Sequence, residues 1–285
     1  MGERTAGKLN WLQANVPEGL LVDAGWLQRH GYPSNLRSKY VAHGWLDQVS
    51  RGVYRRPAAK LPTQNPDEGL RWQHVVVSLQ TLLERPYTVG GRTALELQGF
   101  SHYLSGGPRE IHLYGPKTAP GWLARLQLDR PLVFHNVEKL FTDRPEIHGQ
   151  GSAAAAHGTD LGQASYVRQP VEQSRWSLTM SSPERAVLEL LDEVPQHETF
   201  HQADMLMEGL RTLSPRRLRT LLVRCRNVKV KRLFLWFAER HNHPWLKALD
   251  RTGIDLGRGK RMLVRGGKLD PKFNITVPEN LDAGG

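Results

Sequence analysis

Two closely spaced helical patterns, followed at once by two short segments of alternating apolar and polar residues, constrain the fold of this chain most. The helical patterns cover residues 23–30 and 34–43. Residues 45–56 then alternate about Arg51-Gly52, which predicts a strand, a tight turn and a second strand. A helix-turn-helix followed by a two-stranded hairpin has the element order of a winged helix. The start of the chain is therefore predicted to be a winged helix-turn-helix.

The helix predicted over residues 34–43 has one apolar side and one polar, cationic side. Helical spacing places Leu36, Tyr40 and His43 toward a small core. The opposite side carries Asn35, Ser38 and Ala42, with Arg37 and Lys39 flanking them. A short polar face of this kind suits the major groove of DNA, where Asn and Arg pair with base edges. These five residues are candidate DNA contacts.

Candidate phosphate contacts surround this helix. Ser34 lies at its N-terminus, where free backbone amides and the helix dipole favour an anion. The turn and second strand carry Arg51, Arg55 and Arg56, which can reach phosphates or the minor groove. Residues 1–60 contain nine Lys or Arg against four Asp or Glu. The alternative is a protein-docking unit whose polar residues are only solvated.

The remaining residues suffice for a second, larger domain. Of the 285 residues, 57–69 contain three prolines and few apolar side chains, which is typical of a linker. We place the domain boundary near residue 62. The predicted fold class is α+β, with an N-terminal winged helix-turn-helix over residues 1–62 and a larger mixed α/β C-terminal domain over residues 63–285.

Helical and strand patterns are interspersed in the predicted C-terminal domain. Helices are predicted at 70–83, 93–98, 203–210, 215–225 and 230–240, with a further one that opens at Ser182-Pro183-Glu184. Strands are predicted at 110–114 and 132–137, and residues 262–277 alternate like strands about Gly266-Gly267. The Gly- and Ala-rich tract 149–165 predicts a surface loop.

The cysteine count and the hydropathy pattern indicate the cellular compartment in which we expect the protein. Cys225 is the single cysteine, so no intrachain disulfide can form, and a reducing compartment fits best. No stretch reaches the roughly 18 apolar residues of a membrane span, and the N-terminus lacks the apolar core of a signal peptide. We expect a cytoplasmic protein with no membrane association.

Three motifs that resemble catalytic or ligand sites have simpler interpretations. The turn at Gly90-Gly91 lacks the paired carboxylates of a nucleotidyltransferase. The segment at Gly257-Arg258-Gly259 lacks the spacing of a phosphate loop. His241-x-His243 has no third metal ligand nearby. No catalytic residue, cofactor or metal is predicted.

Four segments of the chain form a family signature: GWLDQVSRGVY at 44–54, GGRTALELQG at 90–99, SPERAVLELL at 182–191 and GRGKR at 257–261. Together they resemble AbiEi-type antitoxins, the antitoxin half of bacterial type IV abortive-infection toxin–antitoxin pairs. The resemblance implies a winged helix that binds inverted repeats upstream of its own operon and represses it. It also implies a C-terminal domain that counteracts a nucleotidyltransferase-like toxin. Only the helix and hairpin contacts above carry over as DNA-binding residues.

The charge balance offers a second candidate surface. The chain has 39 Lys or Arg against 28 Asp or Glu, which suggests a polyanionic partner. Residues 216–232 contain eight Lys or Arg and no acid. A leucine stripe faces inward there, leaving an exposed set that we name the arginine face: Arg216, Arg217, Arg219 and Arg226. This face is a candidate for antitoxic contacts or additional DNA contact, a solvated charged face being the alternative.

Two other functions remain open from the sequence. The C-terminal domain could be an enzyme that modifies the toxin or a phosphate-bearing substrate and is localised by the winged helix. The chain could also be a DNA-binding regulator without a toxin. The favoured interpretation is an antitoxin and autorepressor that is not an enzyme.

Overall fold

The computed structural model describes residues 2–57, 70–100, 108–141, 165–171, 176–279 and 281, with side chains from residue 7 onward. The predicted linker at 57–69, except Pro57, lies outside the described residues. So does the Gly- and Ala-rich tract at 149–165, except Ser165. Among the described residues, no helix is both long and apolar enough to cross a membrane.

The N-terminal unit contains three helices and an antiparallel sheet. The helices are α1 (Gly2–Asn15), α2 (Ala24–Arg29) and α3 (Ser34–Ala42). The sheet has the order β1-β3-β2, with β1 (Leu21–Asp23), β2 (Asp47–Ser50) and β3 (Val53–Arg55). Helices α2 and α3 and the β2–β3 hairpin match the predicted elements, whereas β1 was not predicted. We call the β2–β3 hairpin the wing.

Local sequence explains where these elements begin and turn. The Asp23 side chain caps α2, accepting a 2.7 Å hydrogen bond from the backbone amide of Trp26. Gly52 turns the wing with φ +77°, a conformation that favours glycine. Tyr40 is buried in the unit's core, as its spacing predicts, and Trp26 is buried there as well.

The C-terminal part is built on a five-stranded mixed sheet with the order β6-β5-β4-β8-β7. Its strands are β4 (Thr88–Val89), β5 (Ile111–Gly115), β6 (Leu132–Asn136), β7 (Tyr166–Pro170) and β8 (Ser177–Ser181). The pairs β4–β8 and β5–β6 are parallel, and the other two are antiparallel. The predicted strands correspond to β5 and β6. Thus the observed fold is α+β.

Helices pack around this sheet, and one of them is buried along most of its length. They are α4 (Trp72–Thr81), α5 (Gly91–Leu97), α6 (Pro183–Glu193), α7 (Phe200–Gly209), α8 (Pro215–Arg224) and α9 (Val228–Arg240). Helix α6 begins at Pro183, as the sequence predicts, and packs against α5 and α9. It buries the charged residues Arg185 and Glu189 together with its apolar side chains.

The last hairpin differs from the predicted one. It consists of β9 (Lys268–Asp270) and β10 (Ile275–Val277), which turn through residues 271–274. The predicted strand before Gly266 is wrong, because residues 262–264 form no strand. The amides of Leu263 and Val264 instead donate to the Thr276 hydroxyl, at 2.8 and 3.1 Å, so a side chain replaces the backbone partner of a sheet.

The N-terminal unit and the rest of the chain are in direct contact. The backbone amide of Leu21 donates a buried 2.8 Å hydrogen bond to the Ser78 hydroxyl on α4. The Arg125 guanidinium donates to the backbone carbonyl of Arg51, at the turn of the wing, over 3.2 Å. One apolar core runs through both parts. The position of the wing therefore depends on residues of the C-terminal part.

Candidate nucleic-acid interface

Helix α3 exposes most of its predicted DNA contacts. Ser34, Asn35, Ser38, Lys39 and Ala42 are all exposed. Leu36 and Tyr40 pack inward, and Tyr40 is fully buried. The resulting surface is short, polar and cationic, as the major groove requires.

The assignment of His43 to the apolar side is wrong, because this residue is exposed. It lies just past the end of α3, where its Nδ1 is 2.7 Å from the carbonyl oxygen of Lys39. Its ring stacks on Trp45 with centroids 4.9 Å apart. The helix ends at Ala42, so helical spacing no longer sets the direction of His43.

Arg37 has a different environment from Lys39. Its guanidinium donates a 2.7 Å hydrogen bond to the carbonyl of Ala24 and lies 5.8 Å from the ring centre of Tyr54. The first contact ties α3 to α2, and the second ties it to the wing. Arg37 therefore fixes the orientation of the exposed face of α3.

Among the described residues, two of the three wing arginines have partners and one has none. Arg55 pairs with Asp47 at 2.9 Å. Arg56 donates to the carbonyl of Val16 over 3.0 Å and pairs with Glu18 at 3.1 Å, which joins the wing to the end of α1. The exposed side chain of Arg51 has no partner among the described residues. It is thus the wing arginine that is free to bind an external anion.

The arginine face is exposed, but several of its cations have partners within the chain. Arg217 pairs with Glu184 at 3.3 Å, and Arg219 pairs with Asp250 at 2.8 Å. Arg226 donates to the carbonyl of Glu138 over 3.4 Å. Two further cations of the run 216–232, Lys231 and Arg232, are buried. The eight charges therefore do not form one uniform surface.

The turn at Gly90-Gly91 has a structural explanation. The Gly91 amide donates a 3.0 Å hydrogen bond to the buried Glu189 carboxylate on α6. A Cβ atom at Gly90 would lie 2.2 Å from Glu189 Oε2 and 2.5 Å from the ring of Tyr114. The turn holds α5 closely against α6, and the Gly91 amide already donates its hydrogen bond to the Glu189 carboxylate. It therefore offers no open cradle for a phosphate.

A chain of titratable side chains crosses β5, β6 and α6, and sequence reasoning missed it. His112 Nδ1 lies 2.9 Å from His135 Nε2, and His135 Nδ1 lies 2.9 Å from Glu193 Oε1. The two imidazole rings stack with an interplanar angle of 7°. Burial, reinforced by the neighbouring His135, lowers the pKa of His112 to about 4. The cluster depends on the parallel register of β5 and β6, which sets Tyr114 opposite His135 and so brings His112, two residues earlier on β5, close to the same ring. The sequence does not show this register.

The two histidines of the His241-x-His243 motif are engaged separately. His241 Nε2 lies 2.7 Å from Asp204 Oδ1, and His243 Nε2 lies 2.8 Å from the carbonyl oxygen of Met207. Within the described part of the chain, no group of three or more His, Cys, Asp or Glu side chains is placed to hold a metal ion.

Comparison with protein families accounts for nearly the whole chain. Residues 109–278 match the family "Transcriptional regulator, AbiEi antitoxin, Type IV TA system". Residues 5–106 match "Transcriptional regulator, AbiEi antitoxin N-terminal domain". The chain belongs to the AbiEi antitoxin family. The predicted resemblance is confirmed, and the family consists of transcriptional regulators that are antitoxins of type IV systems.

One solved structure has a similar overall fold. The chain is similar to the crystal structure of the RV2827C protein from Mycobacterium tuberculosis, with a TM-score of 0.54 and 15% sequence identity. The alignment covers 95% of this chain and 90% of that one. At this identity the likeness concerns the fold alone. No curated protein matches the chain.

The two AbiEi family models meet at residues 106–109, beyond the predicted boundary at 62. The N-terminal model thus includes β4 and α5. Strand β4 nevertheless pairs with β5 and β8 of the C-terminal model. The five-stranded sheet therefore joins the two matched regions.

Proposed function

We propose that the protein is an antitoxin that represses its own operon by binding inverted repeats and that counteracts a nucleotidyltransferase-like toxin. Membership of the AbiEi family supports the antitoxin and regulator roles. The observation that carries the DNA-binding part is the exposed polar face of α3, together with the exposed Arg51, whose side chain has no partner among the described residues. The proposed activity is cytoplasmic and involves no cofactor, metal or catalytic step.

Within this proposal, α3 reads the promoter and the wing contacts phosphate. Asn35, Ser38, Lys39 and Ala42 supply the base contacts, and Ser34 lies where the helix start favours a phosphate. Arg51 supplies the phosphate contact of the wing. Arg37, Arg55 and Arg56 act mainly through the contacts that orient α3 and the wing.

The test compares Lys39→Ala with Lys247→Ala, which removes an exposed cation from the C-terminal part. Full-length variants are titrated with the protein's own promoter duplex and with a shuffled duplex of equal length. Lys39→Ala should weaken promoter binding by about 1–3 kcal/mol, roughly 5- to 150-fold, because one good base contact is lost. Lys247→Ala should leave binding unchanged. Equal promoter affinities for the two variants would contradict the proposed role of α3.

We place the antitoxic contacts on the arginine face, Arg216, Arg217, Arg219 and Arg226. Its charge would suit an acidic surface of the toxin or the nucleic acid on which the toxin acts. Arg219 allows a sharp test because its ion pair with Asp250 can be broken from either side. Arg219→Gln and Asp250→Asn both remove the pair, but only the first removes the cation.

In cells expressing the toxin, Arg219→Gln should reduce protection, whereas Asp250→Asn should retain it. Full-length protein levels measured in the same cells would control for loss of folding. Equal protection by both variants would assign Arg219 to a solvated charged face.

We also propose that promoter binding and toxin protection reside in residues 1–62 and 63–285, respectively. The hydrogen bond from Leu21 to Ser78 and the contact from Arg125 to the wing cross this boundary. Single substitutions in the full chain therefore separate the two activities more cleanly than truncation does. Lys39→Ala should impair repression and leave protection intact.

A further inference from the structure

A further cationic surface lies near the C-terminus, in a segment that is separate in sequence from α3, the wing and the arginine face. Residues 257–268, which we call the basic loop, contain five cations and no acidic residue: Arg258, Lys260, Arg261, Arg265 and Lys268. All five side chains are exposed. Within the part of the chain that the structure describes, none of them has an ion-pair or hydrogen-bond partner.

A buried arginine fixes the backbone beneath these cations. Arg232, only 2% exposed, donates to the carbonyls of Leu256 and Gly259 over 2.7 and 2.6 Å, and to that of Asn274 over 3.2 Å. The Arg261 amide also donates to the Asn274 carbonyl over 2.8 Å. The basic loop therefore has a fixed backbone, which lowers the entropy lost when it binds a ligand.

The conformation of this loop holds Arg261 near a second cation, the buried Arg232, which also has Asp255 nearby. Gly257 and Gly259 have φ values of +61° and +76°, which allow the tight path between the cations. Arg261 lies near enough to the buried Arg232 to reinforce the effect of burial, which lowers the pKa of Arg232. On the arginine face, by contrast, Arg217 and Arg219 pair with carboxylates. Unpaired like charges destabilise a fold, so they favour an external anion.

We propose that the basic loop binds the phosphate backbone of a nucleic acid through Arg258, Lys260 and Arg261, as a contact separate from α3 and the wing. Arginine suits this ligand because its planar guanidinium can donate two parallel hydrogen bonds to one phosphate. The loop contains no aromatic residue, whereas protein interfaces rely on aromatic anchors in apolar pockets. Its chemistry therefore favours a nucleic acid over a protein partner.

The test uses the full chain with Arg258→Gln, Lys260→Gln and Arg261→Gln combined. The matched control combines Arg85→Gln, Lys117→Gln and Lys247→Gln, which removes the same charge from exposed sites elsewhere. Affinities are measured across salt concentrations for three probes: the protein's own promoter duplex, a random duplex of equal length, and a single-stranded RNA.

The loop variant should show a shallower salt dependence than the control. The slope should fall by about 0.9 for each duplex phosphate lost, or by about 0.7 for each single-strand phosphate. An equal fall for both duplexes would identify duplex DNA as the ligand, and a fall for RNA alone would identify RNA. The preference for promoter over random duplex should persist, because it depends on α3. Loss of promoter recognition in Lys39→Ala would therefore test the proposed role of α3 and not that of the basic loop.

Two further measurements distinguish a loss of folding from a loss of charge. The loop variant should melt at the same temperature as the control or higher, because removing like charges relieves their repulsion. A variant that exchanges the three cations by Arg258→Lys, Lys260→Arg and Arg261→Lys should retain the parental salt slope. Salt slopes equal to those of the control for all three probes would overturn the proposal. Lost toxin protection with unchanged slopes would also overturn it and would assign the loop to an acidic protein surface.

Discussion

Replacing Arg51 with glutamine should remove one phosphate contact from the wing without destabilising the protein. The Arg51 side chain is exposed and has no partner among the described residues, so the folded state loses no internal contact. Its backbone carbonyl still accepts the hydrogen bond from Arg125, which keeps the turn in place. The same substitution at Arg56 should cost about 1–2 kcal/mol of stability, because this side chain holds the Val16 carbonyl.

One lost duplex phosphate contact lowers the slope of log affinity against log salt by about 0.9. Between 50 and 200 mM salt, the parent protein should therefore lose about threefold more affinity than Arg51→Gln. The effect should be the same on promoter and random duplexes, because a phosphate contact carries no sequence information. Fluorescence anisotropy titrations at four or five salt concentrations would measure both slopes, and thermal unfolding would measure stability.

Two results would refute this reasoning. An unchanged salt slope would show that Arg51 makes no phosphate contact. An unchanged slope combined with an altered preference among promoter sequences would show that Arg51 reads bases instead. Lys247→Gln serves as the control, since it removes one exposed positive charge outside the N-terminal unit.

Three further outcomes test the packing between elements. Gly90→Ala should lower stability by about 1–3 kcal/mol, because its Cβ would meet the Glu189 carboxylate at 2.2 Å; an unchanged melting temperature would contradict the close packing of α5 on α6. Ser78→Ala should cost about 1–3 kcal/mol by leaving the buried Leu21 amide without its partner, and a Ser78→Thr variant that keeps the hydroxyl should be less affected. Acidification from pH 6.5 toward pH 4 should destabilise the fold by up to about 1.4 kcal/mol per pH unit through His112, whose pKa of about 4 keeps it neutral when folded. The unfolded chain binds that proton first, so urea unfolding that is independent of pH in this range would contradict the burial of His112.

Local sequence patterns were sufficient to predict several elements of the fold. Helix α3 follows from the spacing of Leu36 and Tyr40, and the wing follows from alternation about a turn glycine. Helix α6 follows from a proline at its first position. These signals act within a few residues, so they can be read without knowledge of the rest of the chain.

Short strands with distant partners could not be predicted in this way. Strand β1 has three residues and pairs with β3, about 30 positions away, while β4 has two residues between β5 and β8. Neither is long enough to show an alternation. The buried charges of α6, Arg185 and Glu189, resemble surface residues in the sequence, because their burial follows from packing against other elements.

The sequence by itself determined the helix-turn-helix and hairpin pattern near the N-terminus, the cationic character of α3 and the wing, and the resemblance to AbiEi antitoxins. Only the tertiary structure decided which arginines have partners within the chain. The sequence does not distinguish Arg51, Arg55 and Arg56 from one another. In the fold, Asp47 pairs with Arg55, and the carbonyl at the end of α1 accepts from Arg56. Arg51 has no partner among the described residues. The physical reason is that helical and strand periodicity depends on neighbouring residues, whereas the partner of a charged side chain depends on what the fold brings beside it.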